Sequence, residues 1–224
     1  MMFILVLLGN ILLGNIVLAN AERTMLVDNF TRYIGDDMPE SYAFGTWEVI
    51  WTGYGTVKVE RINGNAVLHM SPKSSTDYYE THSTLVIGAF VSGDIKFDVD
   101  MLTVEQLRIN NEPNPWEVAW VIWNYHDAAH FYYFIVKPNG WELGKRDPTY
   151  PGGQRFLATG ETLFPIGIEY HITIHHNGQS ITVLVDDVPI VQYTDYERPY
   201  LDGHIGLYCE DSHVHYDNVK LKAK

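Results

Sequence analysis

A single cysteine among 224 residues, Cys209, leaves no intramolecular disulfide to form, so this chain must be held by a packed core. Cations are scarce as well. Fifteen Lys and Arg against 28 Asp and Glu give a net charge of -13, with no basic cluster, which argues against nucleic acid as a partner. Past residue 55 there is no sustained 3.6-residue apolar period, which excludes a helical bundle. Metalloprotease and CxxC spacings, a P-loop and a dinucleotide fingerprint are all missing. Charged side chains are absent from the first 21 residues, MMFILVLLGNILLGNIVLANA, which end in the small-x-small pattern of a signal-peptidase site. That predicts export with cleavage before Glu22. The segment lacks a basic start and is interrupted by Gly9-Asn10 and Gly14-Asn15, so the alternative is a retained anchor with an extracytoplasmic domain.

What the sequence does contain is 46% hydrophobic residues in short alternating runs, enough for one substantial core. Strands are expected over 56–62, 64–70, 83–91, 94–104, 116–125, 130–137, 140–146, 154–159, 169–176, 180–186, 188–193 and 203–222, the last broken at Glu210-Asp211-Ser212. Asn63-Gly64, Asn177-Gly178 and Asp186-Asp187 are tight-turn signals, and Pro189 suits an edge strand. No Pro-, Gly- or Ser-rich linker divides residues 22–224, so one domain is expected, closed as a two-sheet antiparallel β-sandwich.

The aromatic run HFYYFIVKPNGWELGKRD (130–147) carries rings on both faces of its strands, so both faces need cover or a use. A turn at Lys137-Pro138-Asn139-Gly140 that opposes Lys137 to Trp141, Ile135 to Leu143 and Tyr133 to Lys145 sorts the rings. A connection at HDAA (126–129) then brings Trp120, Ile122 and Asn124 to the same face. Trp120, Asn124, Tyr133, Trp141 and Lys145 thereby share one face, where rings can stack on sugar C–H surfaces and polar tips can bond hydroxyls. Packing on both faces explains the same residues equally well.

The alternation Val214, Tyr216, Val219, Leu221 slips at Asp217-Asn218, which predicts a bulge. A carboxylate fixed there, with Asp28 and carbonyls near Gly45, would suit a structural calcium. His213 and His215 share a strand face, as do His171 and His175, but without a metal-binding spacing they read as surface histidines. Asp127, Glu142, Glu210 and Asp211 are available carboxylates, and the spacing selects no acid–base pair among them. Cys209 lies in the apolar phase of GHIGLYC and reads as a small buried hydrophobe.

GDIKFDVD, WEVAWVIWNYHDAAHFYYF, NGWELGK, YHITIHHNGQSITVLVDDVPIV and GHIGLYCEDSHVHYDNVKL, in this order, resemble the concanavalin A-like or laminin G-like jelly rolls. Within them, the resemblance over about residues 84 to 222 is to the 3-keto-disaccharide hydrolase type of domain. It implies a curved sandwich whose concave sheet binds or processes carbohydrate. It also implies a convex-side calcium, with Asp217 at the matching position. The ExDxxE strand of laminarinase-like relatives and the RxExR and QIH elements of jelly-roll alginate lyases are absent, so catalysis of those two types is unsupported. The expected function is an exported carbohydrate-recognition sandwich. The alternatives are a glycoside-processing enzyme of the 3-keto type and an extracellular adhesion module.

Overall fold

The computed structural model describes residues 22–224; the expected leader over 1–21 lies outside the described residues. In chain order the strands are β1 (Arg23–Asp28), β2 (Ala43–Phe44), β3 (Trp47–Trp51), β4 (Thr56–Ile62), β5 (Asn65–Ser71), β6 (Ser83–Ser92), β7 (Ile95–Gln106) and β8 (Ala119–Asp127). They continue with β9 (His130–Lys137), β10 (Gly140–Arg146), β11 (Gln154–Gly160), β12 (Glu169–Asn177), β13 (Ser180–Val185), β14 (Val188–Thr194), β15 (Asp202–Glu210) and β16 (Ser212–Ala223). Every strand expected from the sequence is present. β1, β2 and β3 were not foreseen, because strands of two to six residues carry too short an alternation to read.

Two antiparallel sheets form a jelly-roll sandwich. Sheet I runs β14-β13-β12-β7-β16-β5-β4, with β1 also on β16, and sheet II runs β11-β10-β9-β8-β15-β6-β3-β2. The Asn63-Gly64 and Asp186-Asp187 hairpins close with both turn residues at positive φ (52° and 89°, 50° and 63°), the geometry that Asn, Asp and Gly tolerate. Pro189 sits on β14, an edge strand of sheet I, where its missing N–H costs no ladder bond. The expected slip is found at Asp217–Lys220, with Asn218 at φ 51°.

Alternate residues of both sheets meet in the core: Trp123, Tyr132 and Phe134 from sheet II face Phe97, Ile174 and Val183 from sheet I. Each such large side chain is worth about 1.5–3 kcal/mol of burial. Cys209 belongs to this core, and burial lifts its thiol to about 12, out of reach of thiolate chemistry at neutral pH. Tyr216 crosses from β16 to the opposite sheet. Its hydroxyl accepts from the Trp120 N–H (3.0 Å) and reaches the carbonyls of Trp120 (2.9 Å) and Tyr208 (2.6 Å). Sheet I thus pins the backbone of β8 and β15 directly beneath the outer face of sheet II.

Candidate functional site

That outer face carries a second apolar cluster, built from Leu85, Ile87, Val118, Trp120, Ile122, Tyr125, Tyr133 and Ile135. Cross-strand register sets it out in rows. One row reads Trp51, Leu85, Tyr208, Trp120, Ile135, Glu142, and the next reads Ile87, Gly206, Ile122, Tyr133, Gly144, Phe156. The second row has two glycines, and their neighbours lean over them. A Cβ on Gly206 would lie 2.6 Å from Ile122 Cγ1, and one on Gly144 would lie 2.0 Å from Tyr133 Cζ. The floor therefore stays low.

Two cavities of about 330 and 400 Å³ occupy this floor and share Trp120, Gln154 and Glu210. The first is walled by Trp51, Phe131, Tyr208 and Arg146, the second by Trp116, Phe156, Lys137 and Glu142. Together they are large enough for a small ligand.

Polar groups on the floor are wired together. The Tyr133 hydroxyl donates to Glu142 Oε1 (2.5 Å) and accepts from Gln154 Nε2 (2.7 Å), while Lys137 Nζ holds Glu142 Oε2 at 3.0 Å. Burial, then the Glu142 charge, raise the Tyr133 phenol far above its ordinary range, so it remains a donor. Glu210 Oε1 accepts from the Tyr208 hydroxyl at 2.6 Å. Burial, with Asp211 and Glu117 pushing the same way, lifts Glu210 to about 7 against the pull of Tyr208 and Arg146. A carboxyl of that kind can hold or release a proton near neutrality.

The structure brings Trp120 and Tyr133 to this face and places Asn124, Trp141 and Lys145 on the other. The β9–β10 turn is tighter than the sequence suggested: Gly140 pairs with Lys137, so Trp141 opposes Val136 and Lys145 opposes Tyr132. A one-residue slip turns the whole of β10 over. Trp141 joins the inter-sheet core. Asn124 takes a left-handed φ of 49° at a register break between Trp123 and Asp127, and its amide turns inward to the Tyr200 carbonyl (2.6 Å) and His176 Nδ1. Lys145 is fully buried, with its ammonium on Asp195 (2.7 Å) and the carbonyls of Glu197 (2.8 Å) and Arg198 (2.7 Å). The same slip carries Glu142 and Arg146 outward in their place.

Of the four carboxylates, Glu142 and Glu210 share the groove. Asp127 is exposed at the β8–β9 tip beside His130. Asp211 is buried against Arg108 (2.9 Å), which also holds Glu117 and the carbonyls of Asp77 and Glu80. Trp51, Trp116, Arg146, Gln154 and Tyr208 went unrecognised as groove residues. Correct registers for β10 and β15 would have found Arg146 and Tyr208; no local signal marks the others.

Asp28 and Asp217 are both buried on the paired strands β1 and β16; burial, with the Asp100 and then the Asp28 charge, raises the Asp217 carboxyl against the hydrogen bonds from Asn65 and the Asn218 backbone. Asp28 already accepts from the Phe30 N–H and Trp47 Nε1, and Asp217 Oδ2 accepts from Asn65; Asp217 Oδ1 is buried without a partner.

Residues 51–222 match the 3-keto-alpha-glucoside-1,2-lyase-like domain. The chain belongs to that family. Solved structures share the family member's fold at low identity. Carbohydrate binding module CBM66 from Bacillus subtilis is 14% identical with a TM-score of 0.55, covering 83% of this chain and 97% of that one. A glycoside hydrolase family 16 endo-glucanase from Bacteroides ovatus is 8% identical with a TM-score of 0.58, covering 88% and 99%. SCLam, a non-specific endo-beta-1,3(4)-glucanase of the same hydrolase family, is 12% identical with a TM-score of 0.57, covering 92% of each chain. No curated protein matches.

Proposed function

We propose that this protein is an exported carbohydrate-binding sandwich whose glycan lies in the sheet II groove. One observation carries the reading: Trp51, Trp116, Trp120 and Tyr208 line the same floor as Arg146, Gln154, Glu142 and Glu210. A pyranose offers apolar C–H faces and a rim of hydroxyls, and this floor offers aromatic faces beside donors and acceptors. The family membership and the carbohydrate-directed proteins of similar fold support the same ligand class. A glycan array followed by titration calorimetry tests it. Trp120→Ala should weaken binding about 30-fold, the loss expected for ~2 kcal/mol at a central aromatic contact, while core-facing Trp141→Phe should not. Glycan binding that survives Trp120→Ala unchanged sinks the groove assignment. Export is tested by the N-terminal sequence of secreted protein, which should start at Glu22.

Glu210 favours a second reading, proton transfer on the bound sugar. A 1,2-elimination on a 3-keto-glucoside takes the proton from C2, breaks the C1–O bond, forms C1=C2 and returns a proton to the leaving oxygen. A carboxyl at about 7 is suited to either proton movement. Glu210→Gln should lower turnover of a 3-keto-glucoside by about 10²–10⁴-fold while leaving binding in place. A wild-type protein that binds the sugar and releases no product retains only the recognition role.

A structural calcium at Asp28 and Asp217 belongs to the same proposal, supported by the unpartnered Asp217 Oδ1. An unchanged melting temperature in a calcium-selective chelator and in Asp217→Asn would remove it.

A further inference from the structure

The outer face of sheet I, on the far side of the sandwich from the groove, carries three histidines whose ring nitrogens converge. His69 on β5 stands directly across from His215 on β16, and His213 lies two residues earlier on the same face. His213 Nε2 is 3.1 Å from His69 Nδ1 and 3.0 Å from His215 Nε2. Among the described residues, theirs is the one group of three or more His, Cys, Asp or Glu side chains with all donor atoms within 4.8 Å of one another.

Hydrogen bonding alone does not satisfy this arrangement. An imidazole nitrogen has one proton or one lone pair, so His213 Nε2 can serve only one of the two nitrogens that face it. A cation among the three would accept a lone pair from each. Nitrogen donors at about 2.0–2.1 Å from a tetrahedral ion stand roughly 3.3–3.4 Å apart, close to the spacing already present.

Surrounding groups complete the pattern. Glu60 Oε1 on β4 is hydrogen-bonded to His69 Nδ1 at 2.7 Å, closer than two ligands of one ion stand, so a shift of somewhat under about 1 Å would bring the carboxylate to the fourth position; Lys58 Nζ holds the other Glu60 oxygen at 2.9 Å. Glu105 Oε1 on β7 lies 3.7 Å from His213 Nδ1, where it favours the tautomer that leaves Nε2 free to coordinate.

We propose that His69, His213 and His215, with Glu60 as the fourth donor, bind a late first-row divalent cation, zinc in the first instance, and that the ion clips β5 to β16. Three imidazoles and a carboxylate select zinc, copper or nickel over calcium or magnesium. The cation sits away from the groove, so its role is to brace the centre of sheet I.

Full-length protein stripped of metal and titrated with zinc should take up one equivalent by calorimetry and by elemental analysis. Cobalt in the same site should give the visible absorption of a tetrahedral nitrogen-ligated ion. His215→Gln and His69→Asn should each lower zinc affinity at least tenfold, whereas His126→Gln at the β8–β9 tip should not. Zinc at about 100 times its dissociation constant should raise the melting temperature of the wild type by ~5–10 °C, and of the His215→Gln variant by none of that. Histidine ring nitrogen shifts in the wild type read the same three residues without any substitution. Sub-stoichiometric uptake, ring shifts confined to other histidines, or wild-type affinity in a folded His215→Gln variant would each overturn the site.

Discussion

Lys145→Met tests whether the buried lysine is a structural cation, as its surroundings indicate. Its three N–H bonds are all taken, by Asp195, the Glu197 carbonyl and the Arg198 carbonyl, and the ring of Tyr200 lies 4.6 Å below the ammonium. Removing it leaves Asp195 with the Tyr132 hydroxyl (2.6 Å) and the Glu197 N–H (2.9 Å), but with no counter-charge. Breaking a buried pair from one side costs about 3–5 kcal/mol, or roughly 6–20 °C in melting temperature for a chain of this size. The loss should depend on pH. In the wild type, burial pushes Asp195 up, but Lys145, Tyr132 and the Glu197 N–H outweigh it, so its carboxyl titrates below the ordinary value. The stability from that depression is present above the unfolded-state value and is lost as pH falls through the lower folded one. In Lys145→Met burial dominates, Asp195 titrates above its unfolded value, and the variant instead loses stability as pH rises. The gap between the two proteins is therefore widest near pH 7 and narrows toward about pH 4. Urea unfolding followed by tryptophan fluorescence at both pH values measures it. Adding Asp195→Asn should recover about half of the loss. A cost below about 1 kcal/mol, or a gap that does not narrow in acid, would refute the reasoning.

Glu210 has the opposite signature: its folded-state value is raised, so its contribution is complete below its unfolded-state value and fades as pH climbs through 7. Glu210→Gln should flatten that slope by about 3 kcal/mol between acid and alkaline limits, read by denaturation at each pH. Tyr216→Phe should cost about 1–3 kcal/mol through the buried Trp120 and Tyr208 backbone groups it leaves unpaired, and should loosen the groove floor, seen as a changed Trp120 fluorescence environment. Gly144→Ala should drive the Tyr133 ring off Glu142 and Gln154, costing roughly 1–3 kcal/mol and weakening any groove ligand; unchanged binding would show that the floor is not read by the ligand.

The strands from residue 56 onward were legible because their alternation and turn chemistry agree, and the resemblance placed them in the right fold. The groove was only half legible. Trp120 and Tyr133 were assigned to the correct shared face, but Trp141, Lys145 and Asn124 were not, and each miss is a register event. The sequence KPNG permits two hairpin registers that differ by one residue, and nothing local chooses between them. The histidine site escaped for another reason. His213 and His215 were seen to share a face, but their partner His69 lies 144 residues away and is brought in only by the β5–β16 pairing.

That pairing also has a consequence for how the chain assembles. β15 lies at the middle of sheet II between β8 and β6, and β16 at the middle of sheet I between β7 and β5. Two strands made after all the others described are thus the keystones of both sheets. Until they arrive, β4–β5 and β3–β6 have no neighbour to join them to the rest, and each waiting half-sheet exposes an open edge. Contacts of such sequence separation make for slow folding and a long exposure to mispairing. Synthesis stalled before residue 202 should yield an aggregating chain rather than a smaller version of this sandwich.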